Sequence, residues 1–367
     1  MVRHTARVTQ ECTDPVMPDI SVAAAALHEQ SIVVDTHNDL LMLCVRRNPS
    51  EQGAYFRKVW LPRLRAGGVN IQVLPVFIDD DFRPEGALRQ TLRMLEAGWR
   101  IAAENPDAVR ICLTGADIDA ALADGLIALV LALEGCEAVG TDVVLFTSLH
   151  RLGVRIASFT HFRRTMLADG SAEDGTGGRL TEAGVEAVSI CEALGIMLDV
   201  SHLGAACTDH LLELSTRPII ASHSSAFALR RHHRNLTDAR LRGIAASGGV
   251  VGINVLATFI DENVHTVARV VDHIEHATSI IGVDHVGLGP DFYKDVAEEL
   301  HGPAAQSMDG GGTVISYVPG LEGPDGLPLI TDELLRRGWP DDNIRQVLGG
   351  SFRDLFVREL GLPCPRD

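Results

Sequence analysis

Eight residues of this chain bind metals, move protons or clamp carboxylates in other settings, and most of them close short apolar runs. They are His37, Asp39, Glu134, His161, His202, His223, Arg234 and Asp291. His37 and Asp39 stand two apart in VDTHNDL, and extended backbone would aim both at one face. Imidazole and carboxylate suit a borderline divalent cation such as Zn²⁺. His202 in DVSH and His223 in ASHS add two more imidazoles. Four such groups fit two ions better than one, and two neighbouring ions need a bridging anion. The only lysines, Lys58 and Lys294, lie after the first apolar run and beyond the last, so a carboxylated lysine cannot bridge. Glu134, closing LIALVLALE, is the available carboxylate. Two cations about 3.5–4 Å apart polarise a carbonyl and lower the pKa of a shared water, which suits amide hydrolysis. Asp291, at the tip of HVGLGPDF, is suited to take the water's proton and hand it to the leaving amine. His161, after SFT, can donate a hydrogen bond to the developing oxyanion. In RRHHRN (230–235) Arg234 can hold a carboxylate through two parallel bonds. Arg230 and Arg231 can do the same, and residue type alone does not choose among them.

Each of these residues has a structural alternative when taken singly. Asp39 and Asp291 could cap helices or turns, Glu134 could open a surface loop, and a lone histidine is commonly just hydrogen-bonded. His232, His233, His273 and His276 fall in expected loops or helices and are read that way.

The elements that must carry these residues recur along the chain. Eight apolar or β-branched runs serve as candidate strands: 31–37, 69–77, 126–134, 154–161, 195–202, 218–224, 249–256 and 285–292. Between them lie helical stretches, among them 180–194 with Thr181 as N-cap and 264–281 with Gly282 as its stop. Two more helices are expected at 331–348 and 352–360. Apolar strands alternating with helices imply a parallel sheet covered on its outside. Eight such units predict a closed (β/α)8 TIM barrel, whose strand C-termini converge on one rim. His37, Asp39, Glu134, His161, His202, His223 and Asp291 would then meet in one mouth. An open doubly wound sheet would show a glycine-rich turn after the first strand, where this chain reads His-Asn-Asp. The expected organisation is an N-terminal extension, 1–30, followed by one barrel domain with C-terminal helices, 31–367.

Composition narrows the partners. Hydrophobic residues make up 46% of the 367, enough for a large core. A formal net charge of −17 and the lack of a basic stripe exclude nucleic acid as a partner. Seven scattered cysteines without a CxxC pair point to a reducing, cytoplasmic setting. No uncharged apolar stretch reaches about 18 residues, so no membrane span or anchor is expected.

Taken in order, these segments resemble the membrane (renal-type) dipeptidase family of zinc metallopeptidases, from about residue 32 to the C-terminus. The matching motifs are VDTHNDL, LPRLRAGGVNIQ, ALEG, LGVRIASFTH, LDVSH, ASHS, RNLTD and VGLGPDF. The resemblance implies a barrel with His37, Asp39 and Glu134 on one zinc, and Glu134, His202 and His223 on the other. It implies His161 near the scissile carbonyl, Arg234 on the substrate's carboxylate and Asp291 as the proton-transfer group. It also implies a small dipeptide as substrate, often with a D-residue at its C-terminal position, and a homodimer.

The chain departs from the family pattern at Phe292-Tyr293-Lys294, Gly135-Cys136, Gly349-Gly350-Ser351-Phe352 and Arg163-Arg164. These changes leave the expected ligands in place but bear on pocket shape. They motivate an alternative, hydrolysis of another small amide or lactam at the same two-metal site. A non-catalytic barrel used for binding is the third reading, which a complete ligand set disfavours.

Overall fold

The computed structural model describes residues 19–302 and 314–362. Most of the N-terminal extension, along with Cys12 and Cys364, lies outside the described residues. Among the described residues nine parallel strands are present: β1 (Val33–Asp35), β2 (Val69–Phe77), β3 (Val109–Ile111), β4 (Ile127–Glu134), β5 (Val154–Ser158), β6 (Met197–Asp199), β7 (Ala221–Ser224), β8 (Val251–Ile253) and β9 (Val286–Leu288). Eight of them form the barrel, in the order β1-β2-β4-β5-β6 and β7-β8-β9. Bridges at Asp199–Ile220 and Asn38–Phe292 join the two sheets and close the ring. Ile220 N donates to Leu198 O at 3.0 Å, and Asp291 N donates to His37 O at 3.1 Å.

The ninth strand was not expected. β3 takes the first half of the β4 edge, pairing Val109 with Ile127, and β5 takes the second half from Leu131 onward. Its three residues, VRI, are too short to stand out as a periodic pattern.

The sheet separates two apolar clusters. Along β4, Leu129, Leu131 and Leu133 face the outer helices. Ala128, Val130 and Ala132 face a second cluster with Val34, Val73, Ile156, Met197 and Ile220. This alternation with period two directs Glu134 into the lumen. The C-terminal helix Ser351–Glu359 closes the opposite mouth, and its Phe352 and Phe356 belong to the luminal cluster. Phe352 packs so tightly on Gly287 that a Cβ there would meet its ring at 2.5 Å.

The expected helix 180–194 forms as Glu182–Leu194, with Thr181 accepting from Gly184 N and Gly195 left-handed at its end. The one expected at 264–281 starts later, at Val267, capped by Thr266. The single helix expected over 331–348 is instead two. Pro328–Arg336 stops before the left-handed Gly338 and Pro340, and Asp341–Arg345 begins anew. The helix Val22–Glu29 docks on this region through Ser21 to Asp332 and His28 Nδ1 to Thr331 Oγ1, the latter at 2.7 Å.

Phe352→Ala should lower unfolding stability by about 3–5 kcal/mol, because it empties the barrel floor. The urea midpoint is the check, and a change below about 1 kcal/mol would show that the floor does not depend on this ring.

Candidate metal centre

Glu134 ends β4 inside the barrel, and the rim side chains gather on its Oε1. That oxygen lies 2.9 Å from His202 Nε2, 3.3 Å from His37 Nε2, 3.5 Å from His223 Nε2 and 3.9 Å from His161 Nε2. Three groups, each with ligand atoms within 4.8 Å of one another, share this spot: His37/Asp39/Glu134, Glu134/His202/His223 and His37/His223/Asp291. None of these six residues is more than 8% exposed. The structure therefore brings together all the expected ligands, with Asp291 beside them at 4.0 Å from His37 Nε2.

How the residues reach the rim differs from expectation. Only Glu134 and His223 sit on strands. The others lie past the strand ends, because β1, β5, β6 and β9 stop at Asp35, Ser158, Asp199 and Leu288. Asp39 occupies the N-cap position of the short helix Leu40–Cys44, yet its side chain makes no capping bond and turns to the cluster instead. His202 and Asp291 adopt φ of 68° and 63°, the only left-handed non-glycine residues among those described. Such backbone costs about 1–3 kcal/mol per residue and concentrates at functional sites.

The electrostatics fit a cation-binding centre. Burial would push Glu134 upward, but the charge of His37, followed by a hydrogen bond from His202, holds it well below the usual carboxylate range. Burial, then the charge of Glu134, drives Asp39 well above that range. Burial also raises Asp291, with Glu134 adding to the shift. Burial alone would keep His37 neutral, yet Glu134, Asp39 and Asp291 lift it to about 10. The cluster is thus short of positive charge. Burial holds His202 and His223 far below the ordinary imidazole value, so both are neutral, as a metal ligand must be. Their Nε2 atoms lie 2.8 Å apart beside Glu134 Oε1, and His37 Nε2 makes no well-formed hydrogen bond. Two imidazoles and a carboxylate at one point, with a third imidazole nitrogen and a second carboxylate alongside, are the donors that Zn²⁺ prefers.

Around the cluster, Asn254 Nδ2 donates to Asp291 Oδ2 at 2.7 Å, and Asn254 Oδ1 accepts from Leu256 N at 2.7 Å. His161 is wedged between Phe77 and Phe162, with ring centroids 4.5 and 4.3 Å away. Burial lowers it to about 3, so it is neutral and able to donate an N–H. Of the three arginines the sequence left open, Arg230 pairs with Glu262 and Arg231 is exposed. Arg234 is 4% exposed, donates to His223 O at 3.1 Å and lies over the Phe259 ring. It lines a cavity of about 220 Å³ that also reaches His202, His232, His233 and Arg240. His273 is a satisfied core histidine, with Nδ1 accepting from Ala226 N at 3.0 Å. Arg163 pairs with Asp80 and lies over the Phe162 ring, and Arg164 pairs with Asp169.

Sequence reasoning passed over Asn254, Asp199, Ser201 and Ser222, which stand directly behind the rim. Their signal was present, since each is a polar residue inside or just past an apolar strand run.

A parallel (β/α)8 barrel with a carboxylate–imidazole cluster on its rim defines the class of barrel metal hydrolases. Within that class the chain belongs to the membrane dipeptidase family (Peptidase family M19), whose sequence model matches residues 22–353. Dipeptidase verJ of Clonostachys rogersoniana is 30% identical over 264 residues, or 72% of this chain and 63% of that protein, just under two thirds of its length. Dipeptidase aclJ of Aspergillus oryzae is 29% identical over 349 residues, 90% of this chain and 77% of that one. Among solved structures, the metallopeptidase dipeptidase AC superposes with a TM-score of 0.79 at 28% identity, over 90% of this chain and 99% of that chain. A Rhodobacter sphaeroides metallopeptidase, liganded with a phosphinate mimic of the dipeptide L-Ala-D-Ala, gives 0.78 at 27% identity with the same coverage.

Asn tolerates left-handed backbone, and Asp291→Asn also removes one carboxylate from a crowded cluster. Chelator-treated Asp291→Asn should therefore melt at the parent's temperature or above it. A melting point several degrees lower would mean that Asp291 serves the fold first.

Proposed function

We propose that this chain hydrolyses the peptide bond of small dipeptides at a centre of two zinc ions. His37, Asp39 and Glu134 would hold one ion, Glu134, His202 and His223 the other, with Glu134 shared. The observation that carries this reading is the convergence of three imidazole nitrogens within 3.5 Å of one Glu134 oxygen, in a member of a dipeptidase family. When bound, such a pair of cations supplies electrophilic activation of the carbonyl and lowers the pKa of water.

The rest falls to the chain's own residues. Arg234 receives the dipeptide's free carboxylate, and its backing by His223 O and Phe259 orients the guanidinium for a two-bond clamp. Neutral His161 donates to the carbonyl oxygen as charge develops there. Asp291 has one carboxylate oxygen anchored by Asn254 and the other directed toward His37. It accepts a proton from the attacking water and returns it to the leaving amine. A cavity of about 220 Å³ lies beside Arg234 and reaches His202 of the cluster. The ligand of the Rhodobacter relative makes L,D-dipeptides the first class to assay.

Two further parts of the proposal have separate support. The cysteines among the described residues are free and buried, as a reducing cytoplasm allows. No described helix is long and apolar enough to cross a membrane. A homodimer is proposed on family likeness. Arg163 and Arg164 are engaged in ion pairs with Asp80 and Asp169.

Chelation should abolish dipeptide turnover, and added zinc should restore it; full activity in the chelated protein would sink the metal centre. Asp291→Asn should lower kcat by about 10²–10⁴-fold with both metals still bound. Arg234→Lys should lower kcat/KM about 10- to 100-fold for dipeptides with a free carboxylate. The same variant should act nearly as the parent does on dipeptide amides. An equal loss on both substrates would remove Arg234 from its role.

A further inference from the structure

His223 and His202 share Glu134, but they are oriented by different means. Behind His223 runs a buried chain of hydrogen bonds. Asp199 Oδ1 accepts from Ser201 N and Ser222 N, each at 2.9 Å, and Asp199 Oδ2 accepts the Ser222 hydroxyl. Ser222 Oγ also lies 2.7 Å from His223 Nδ1. A serine hydroxyl has one proton, and here it goes to Asp199, so Ser222 Oγ can only accept from the imidazole. The ring proton must then sit on Nδ1, leaving the Nε2 lone pair facing Glu134. The Ser201 hydroxyl, 3.3 Å from Ser222 Oγ, is the weaker alternative for that proton. Ser201 Oγ instead receives His223 N at 2.9 Å and pins the backbone. Asp199, Ser201 and Ser222 are all at most 6% exposed, so bulk water does not compete.

His202 has no such support. Its Nδ1 makes no hydrogen bond, and its ring is set by left-handed backbone and by contact with His161 at 4.1 Å between centroids.

We infer that Asp199 and Ser222 are positioning residues that lock His223 in the tautomer presenting its Nε2 lone pair to the metal centre. This rests on the two-zinc reading above. Buried hydrogen-bond partners of ligating histidines fix ring tautomer and orientation, and their loss costs about 10–100-fold in metal affinity.

The test is zinc competition against a chromophoric chelator, with the full-length protein. The parent should hold two equivalents. Ser222→Ala should weaken one equivalent about 10–100-fold and leave the other unchanged. Ser222→Thr, which keeps the hydroxyl, should restore it. In ¹⁵N-labelled zinc-loaded protein, a protonated His223 Nδ1 should be seen in the parent and in Ser222→Thr, and its signal should be lost or shifted in Ser222→Ala. Tight binding of both equivalents by Ser222→Ala, equal weakening of both, or failure of Ser222→Thr to rescue would each overturn the relay. If Ser222→Ala does not fold, Asp199→Asn decides by the same competition, with unchanged affinity overturning the relay. A parent that binds no zinc would overturn the metal centre itself and not the relay alone.

Discussion

Six ionisable side chains share a volume from which water is largely excluded, and the rest of the molecule is arranged around that fact. Taking carboxylates out of water is expensive unless positive charge or donors replace the lost solvation. Here Glu134 is held ionised chiefly by His37 and His202, while Asp39 and Asp291 are pushed toward the neutral form by burial and by Glu134. One buried space cannot keep all three carboxylates charged through imidazoles alone. The cluster is thus suited to be completed by bound metal, and it needs a scaffold stiff enough to hold like charges together in the meantime.

The barrel supplies that stiffness in two ways. Strand-borne Glu134 and His223 inherit their direction from the sheet, and the luminal packing of Val130, Ala132 and Ile220 beneath them is anchored by Phe352. The remaining groups stand on turns whose backbone is bent to aim them. His202 and Asp291 hold left-handed φ, and Asp39 occupies a cap position without capping. Strain of this kind persists only where surrounding contacts over-determine it. Glu134 and the Asn254 bond supply those contacts for His202 and Asp291.

Much of this was legible in the residues. Eight apolar runs alternating with helices announced the barrel, and polar residues at their ends announced the rim. What could not be read was how far each strand extends. The expectation that His37 and Asp39 project together from extended backbone fails, because β1 ends at Asp35 and a helix begins at Leu40. Both residues still arrive at Glu134, by a turn instead of a pleat. β3 escaped notice because three residues carry no period, and the break near Gly338 because helical spacing runs across it. Arg234 could not be told from its neighbours, since only tertiary contacts with His223 and Phe259 separate a buried arginine from half-buried Arg230 and exposed Arg231. The hydrogen-bonded residues behind the rim were visible as polar intrusions in apolar strands, but their partners lie on other strands and no spacing reveals them.

The placement of Arg234 also resolves an apparent conflict between global and local charge. The chain carries a net −17, which would repel an anionic substrate at long range. At physiological ionic strength that field is screened within about 8 Å, so it governs approach only weakly. Inside the cavity the balance reverses. The charge of Arg234 is felt by His161, His202, His223 and Asp291 alike. In the proposed reading, recognition of a carboxylate would be a short-range property of the loop after β7. The same loop leads directly from His223, so in the proposed reading a carboxylate on Arg234 would sit at a fixed distance from the metal centre, and that distance would choose the bond to be cut.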